Sequence, residues 1–281
     1  MQPTREFKLP KLNVTASVQT DAGCVRASNE DNGRHIKSFA DESRDQRGTL
    51  TIVADGMGGH SSGEVASEMA VELISHFYYE NESESAPEAL KSAIEQSSNM
   101  IFKTSVTEEK FFGMGTTVVA LVILGETAFA AHVGDSRLYR MRGNEMQLLT
   151  MDHSQVMEMV KQGVISMEEA QTHDDKNIIL RAVGTQAAVE AEVSEPFAVE
   201  PGDEFLLCSD GLSDMVEDEG ISRIWLGAGG DIHRAVEELI KFAKARGGHD
   251  NVTVGIVRAE EENAVETSRK ARVTREIESA S

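Results

Sequence analysis

The chain has 281 residues, room for one large domain with a well-buried core or two modest ones. Hydrophobic residues at 40% and charged residues at 27% describe a folded, soluble protein and exclude wholesale disorder. The formal charge of −21 repels nucleic-acid backbones and anionic lipid, so neither is expected as a partner.

The N-terminus, MQPTREFKLPKLNV, lacks the apolar stretch of a secretory signal, and residues 1–12 read as an arm. Thr49–Ala54 (TLTIVA) is a strand-like run closed by Asp-Gly. Glu64–Tyr79 sets Val65, Met69, Leu73 and Phe77 four apart, the apolar stripe of a helix. Pro87–Ser105 repeats Leu90, Ile94 and Ile101 at near-helical spacing, with Pro87 suited to a first turn. Thr117–Leu124 and Ala128–Val133 read as strands, and the longest apolar run, Val118–Leu124, is too short to span a bilayer.

Asp152–Gly184 breaks this pattern. Ser154 can cap a short helix through Val160, Gly163 can end it, and Ser166 with Glu169 has the capping-box spacing. The block reads as a small helical flap. Glu204–Cys208 and Val252–Val257 are strands on either side of an Ile232–Arg246 helix, which Asp231 can cap and Gly247 can end. The tail, 259–281, is dominated by charge and hydroxyls and reads as solvated; Thr267, Ser268 and Thr274 lie there beside basic residues. No repeat or Gly/Ser linker divides 13–258, so it reads as one domain, a monomer by default, and the order of elements favours an α+β class. Cys24 and Cys208 form no C-x-x-C pair and read as buried free thiols, which fits a reducing, cytoplasmic location.

Acidic residues recur where apolar strands end. Asp55 (VADGMGGH), Asp135 (AHVGDSR), Asp210 (LLCSDGLSD) and Asp250 (GGHDNVTV) each sit at such a boundary, and Glu30-Asp31 follows Arg26 by a few residues. Taken singly, an Asp-Gly at a strand end is better read as a turn than as a functional site. Taken together, strand ends of a sheet converge, and converging carboxylates repel unless cations hold them. With oxygen donors only, and no Cys pair or H-E-x-x-H, the set favours Mg²⁺ or Mn²⁺ over zinc. Two such ions about 3.5–4 Å apart can share a water, lower its pKa and deliver hydroxide to phosphorus. Arg26 offers a guanidinium fork for phosphate oxygens, or else a surface salt bridge to Glu30 or Asp31.

Val25–Asp31 (VRASNED), Asp55–His60 (DGMGGH), Gly115–Thr117 (GTT), Val133–Arg137 (VGDSR), Ser209–Asp214 (SDGLSD) and Gly247–Thr253 (GGHDNVT) together resemble the protein phosphatase 2C family, in order and spacing, across about residues 13–258. DGMGGH and the Leu149–Gly184 stretch are similar to its bacterial branch. The resemblance implies a four-layer α/β/β/α sandwich of two antiparallel β-sheets flanked by helices, with metals at one end. It implies a protein phosphoserine/phosphothreonine phosphatase with two core Mn²⁺ or Mg²⁺ ions and a third, opposing a bacterial serine/threonine kinase. Asp55 is then the bridging ligand and the Gly56 carbonyl binds one of the two ions. Asp210 and Asp250 hold the first ion, Glu30 the second, with Asp31 on a metal-bound water. Asp135 and Asp214, with Asp210, hold the third, and Arg26 binds substrate phosphate.

Met57 stands where animal members carry the histidine proposed as leaving-group acid, and methionine cannot donate a proton. His60 and metal-bound water are the alternatives, water being favoured. His132 reads as a satisfied core histidine, His153 as a cap or brace of the flap, and His249 equally as a loop residue or as one that orients Asp250. Met151, Met157, Met159 and Met167 read as flap packing, with an adaptable peptide surface as the alternative. Two other functions fit the sequence less well. A non-catalytic phosphoprotein binder is disfavoured because Asp55, Asp210 and Asp250 are all present. A nucleotide enzyme is disfavoured because there is no G-x-x-x-x-G-K-[ST] loop.

Overall fold

Two-residue alternation along the central strands builds both faces of each sheet. In β6 (Val118–Leu124), Val118, Ala120 and Val122 face one way while Val119, Leu121 and Ile123 face the other. In β12 (Glu204–Cys208), Leu206 and Cys208 oppose Phe205 and Leu207 in the same manner. A strand buried on both faces belongs in the middle of a layered structure. The computed structural model describes residues 12–37, 47–58 and 62–261. Residues 1–11, His60 and the tail beyond residue 261, with its Thr267, Ser268 and Thr274, lie outside the described residues.

One sheet runs β1-β13-β12-β8-β9, from β1 (Leu12–Asp21), β13 (Val252–Glu261), β12, β8 (Arg137–Arg142) and β9 (Glu145–Leu148). The other runs β10-β7-β6-β3-β2, from β10 (Glu192–Val193), β7 (Thr127–Val133), β6, β3 (Thr49–Ala54) and β2 (Asn32–Ile36), with β11 (Phe197–Ala198) also on β7. A small ribbon joins β4 (Gly56–Met57) to β5 (Gly115–Thr116). All named pairings are antiparallel.

Three apolar clusters define four layers. Val53, Leu121, Leu138, Phe205, Leu207 and Val257 fill the space between the sheets. Helices α1 (Ser62–Glu80) and α2 (Ala86–Thr107) cover the second sheet through Ala66, Ala70, Ile74, Leu90, Ile94 and Ile101. Helices α6 (Asp218–Gly227) and α7 (Ile232–Ala245) cover the first through Ile221, Trp225, Val236, Leu239 and Ile240. Each such large side chain contributes about 1.5–3 kcal/mol on burial. The four-layer α/β/β/α sandwich is therefore the observed architecture.

The expected caps form. Asp231 accepts from the N–H of His233 at 3.0 Å and of Arg234 at 3.1 Å. In the flap, Ser154 caps α3 (Gln155–Lys161), and Ser166 and Glu169 close a capping box on α4 (Met167–Gln171). One expectation fails: Cys208 is buried, but Cys24 is exposed. It lies in the turn after β1, where its small neighbours mark a tight chain reversal at the surface rather than a core.

Candidate metal centre

The register brings the acidic strand ends to one end of the sandwich. Ala54 at the close of β3 pairs with Asn32 at the start of β2, so Asp55 meets Glu30-Asp31. Cys208 pairs with Val254, which sets Asp210 beside Asp250. Val133 pairs with Val118, placing Asp135 next to Thr117. Asp210 opens the short helix α5 (Asp210–Ser213), and Asp214 follows it, its backbone N–H bonded to the Asp210 carbonyl at 2.8 Å.

Each motif has a mechanical part. Thr117 Oγ1 accepts the Asp55 N–H at 3.1 Å and meets Ser136 Oγ at 2.7 Å. The Asp55 carbonyl accepts from Thr117 N–H and Thr116 Oγ1, both at 2.8 Å. The G-T-T and D-S sequences thus clamp the Asp55 backbone. Gly56 and Gly211 allow two close approaches. A Cβ on Gly56 would lie 2.2 Å from the Gly63 carbonyl oxygen, and one on Gly211 would lie 1.9 Å from that of Asn251. Arg137 forks onto Asp152, with Nη2 to Oδ2 at 2.7 Å and Nε to Oδ1 at 3.0 Å, and so ties the flap's first residue to β8.

The electrostatics are those of a cation site. Burial, reinforced by Asp31, Asp210 and Asp135, holds the Asp55 carboxyl well above the ordinary carboxylate range. The Asp55 and Asp210 carboxyls lie close enough to perturb one another directly. Burial, then Asp210, pushes Asp135 up to about 8. Burial raises Asp31 to about 7 despite the hydrogen bond it accepts from Ser209 Oγ at 2.7 Å. Glu30 is also raised, by burial first and by Asp250 and Glu64 after it, with Arg26 opposing. Asp31 Oδ1, Asp135 Oδ1 and Asp210 Oδ1 are buried oxygens without a hydrogen-bond partner. Orphaned buried carboxylate oxygens are costly. A hard divalent ion satisfies them with the donor type it prefers, so the residues fit the group.

Arg26 is half exposed and pairs with Asp250, Nη2 to Oδ2 at 2.6 Å, rather than with Glu30 or Asp31. Asp250 Oδ1 accepts the N–H of Asn251 at 2.8 Å. Asp214 sits at the rim and pairs with Lys176 of the flap at 3.2 Å. Met57 lies on β4, half buried. Thr116, Thr117, Ser209 and Asn251 support the site but were not singled out in the sequence. Their only signal there is their place inside the motifs.

His132, His153 and Glu192 also lie close enough to hold an ion. Three of the four ring nitrogens are otherwise engaged. His132 Nε2 donates to the Met151 carbonyl at 2.8 Å, and His153 Nδ1 accepts from Gly134 N–H at 3.2 Å, which leaves its Nε2–H for Glu192 at 3.2 Å. The rings stack at 4.5 Å with planes 17° apart, so their in-plane lone pairs do not converge. This group braces the flap base, as expected of His153, and His132 is the satisfied core histidine. His249 is exposed.

Residues 28–249 match the Protein phosphatase 2C family. A serine/threonine phosphatase stp of Listeria welshimeri is 39% identical over 261 residues, covering 91% of this chain and 99% of the relative. Among solved structures, the S. agalactiae serine/threonine phosphatase superposes with a TM-score of 0.78 at 35% identity, covering 88% of this chain and 99% of that one. The catalytic domain of the serine threonine protein phosphatase PstP, in complex with two manganese ions, superposes with a TM-score of 0.75 at 33% identity, covering 89% of this chain and 99% of that one.

Proposed function

The chain belongs to the protein phosphatase 2C family, and from that membership we infer that it is a metal-dependent phosphatase that removes phosphate from serine and threonine on proteins. The observation that carries this reading is the set of carboxylates at one sandwich end, three of them with a buried unpartnered oxygen. Asp55, the Gly56 carbonyl, Asp210, Asp250 and Glu30 are the residues we assign to two Mn²⁺ or Mg²⁺ ions. Asp135 and Asp214 with Asp210 are assigned to a third ion, and Asp31 to orienting a water. Bound there, the ions supply Lewis acidity and an activated water as nucleophile.

The chain's own part is to bind and orient. Arg26 commits one nitrogen to Asp250 and keeps the rest of its fork open to solvent, where a phosphate can be gripped. Asp31, held by Ser209, keeps one oxygen free to accept from water. Met57 donates no proton, so the leaving hydroxyl takes its proton from water or from His60. We place the enzyme in the cytoplasm, opposing a bacterial serine/threonine kinase, a reading supported by its two free cysteines and its bacterial relatives. The test is hydrolysis of phosphoserine and phosphothreonine peptides. It should require Mn²⁺ or Mg²⁺, stop with chelator and fall by several orders of magnitude in Asp210→Asn. Activity that persists in chelator, or in that variant, refutes the assignment.

A further inference from the structure

We propose that Asn251 is the positioning residue of the phosphate-binding loop, and that its side-chain amide holds Arg26 and Glu30 in register with Asp250. The proposal rests on the functional reading above for what Arg26 and Glu30 do; the geometry stands without it. Asn251 is 4% exposed. Its Nδ2 donates to the Ala22 carbonyl at 3.1 Å and to the Ser28 carbonyl at 2.9 Å. Its Oδ1 accepts the Glu30 N–H at 2.8 Å. These three backbone groups bracket Arg26 on both sides.

The stretch from 22 to 31 connects β1 to β2 and belongs to neither strand. Its backbone polar groups therefore have no ladder partner and need one from elsewhere. A planar amide suits the task because it offers two donors and an acceptor. Aspartate is acceptor-only and would face two carbonyl oxygens. Alanine would leave all three groups unmet.

Asn251 is itself fixed. Its N–H donates to Asp250 Oδ1 at 2.8 Å, and its carbonyl packs on Gly211, next to Asp210. One residue thereby ties together the Asp210 segment, Asp250, and the loop carrying Arg26 and Glu30. Other ties remain without it. Cys24 N–H donates to the Gly248 carbonyl at 2.8 Å, and Asn29 Nδ2 donates to Thr20 Oγ1 at 2.8 Å. Loss of the amide should therefore loosen the loop and leave the sandwich standing.

The experiment compares wild type, Asn251→Ala, Asn251→Asp, Arg26→Ala and the Asn251→Ala/Arg26→Ala double variant. The readouts are KM and kcat on a phosphothreonine peptide at saturating Mn²⁺, Mn²⁺ affinity by calorimetry, and amide hydrogen exchange over residues 22–31. We expect Asn251→Ala to raise KM roughly tenfold with a smaller change in kcat, to weaken Mn²⁺ binding, and to speed exchange at Glu30. In the double variant KM should match Arg26→Ala alone, since Asn251 acts through Arg26. Asn251→Asp, equal in size, should lose at least as much as alanine. Full additivity of the two KM effects, or wild-type exchange at Glu30 in Asn251→Ala, overturns the proposal. So does loss of the whole fold in both Asn251 variants. Absence of turnover in the wild-type chain would instead remove the functional reading, with calorimetry and exchange still deciding the role of Asn251.

Discussion

Raising the pH of the metal-free protein should destabilise it, and metal should cancel the effect. Asp31 and Asp135 have folded pKa values of about 7 and about 8, against 3.8 for the ordinary carboxyl, and burial beside Asp31, Asp210 and Asp135 holds Asp55 well above that ordinary value too. Groups raised in this way carry more protons folded than unfolded, so their stabilisation is present at low pH and lost as pH climbs through the folded values. His35 works the other way. Burial lowers it to about 4 from 6.5, so its stabilisation grows between those values and is complete above them. The clean window is therefore about pH 6.5–8. These three carboxyls repel one another's charge, so together they hold about one to two protons more than the unfolded chain across about 1.5 pH units. At about 1.4 kcal/mol per proton per unit this is about 2–4 kcal/mol. For a domain of this size it corresponds to a fall in Tm of roughly 5–15 °C. Thermal unfolding with chelator across the window measures it, and saturating Mn²⁺ should flatten the slope because the bound carboxylates no longer need protons. A chelated protein whose Tm is level or rises from pH 6.5 to 8 would refute a repelling, proton-sharing centre.

Gly211→Ala should weaken Mn²⁺ binding by at least about tenfold while the sheets persist, because its Cβ would lie 1.9 Å from the Asn251 carbonyl and must push Asp210 and Asp250 apart; calorimetry reads this, and unchanged affinity would show that the contact is slack. Leu207→Ala, at a fully buried position between the sheets, should cost about 2–5 kcal/mol in denaturant unfolding with little change in kcat, whereas a cost under about 1 kcal/mol would mean that the inter-sheet layer collapses to fill the gap.

Much of the fold was legible because the buried strands and the helix stripes announce themselves by period. β3 and β12 match the sequence reading residue for residue, and α1, α2 and α7 match within a few residues. β1 is faint in the sequence: Leu12, Val14, Ala16 and Val18 alternate with polar residues, but Thr, Ser and Gln dilute the apolar signal. β8 (RLYRMR) hides behind arginines, and Arg137 and Arg142 are there for ion pairs to Asp152 and Asp203. Helix α6 has a clear apolar face in Ile221, Ile224 and Trp225, but it is only 10 residues long and opens on Asp-Glu-Gly, so the periodic run is too short to stand out in the sequence. β13 runs on to Glu261 and β1 begins at Leu12, which pairs with it, so long-range pairing set those ends.

The strand-end carboxylates were found from sequence because local chemistry marks them: an apolar run, an acid, a glycine. Their number and donor type already favoured a hard cation. What the sequence could not hold is who faces whom. Arg26 might have paired with its near neighbours Glu30 and Asp31, yet it pairs with Asp250, 224 positions away. Asn251 looked like part of a motif, and only the folded chain shows its amide spanning three backbone groups of a loop more than two hundred residues distant. Cys24 had the neighbours of a buried thiol and lies at the surface. Residue type fixes what a side chain can do, but burial and partnership are pairwise properties. They are settled only when β-sheet register carries remote strand ends to the same edge.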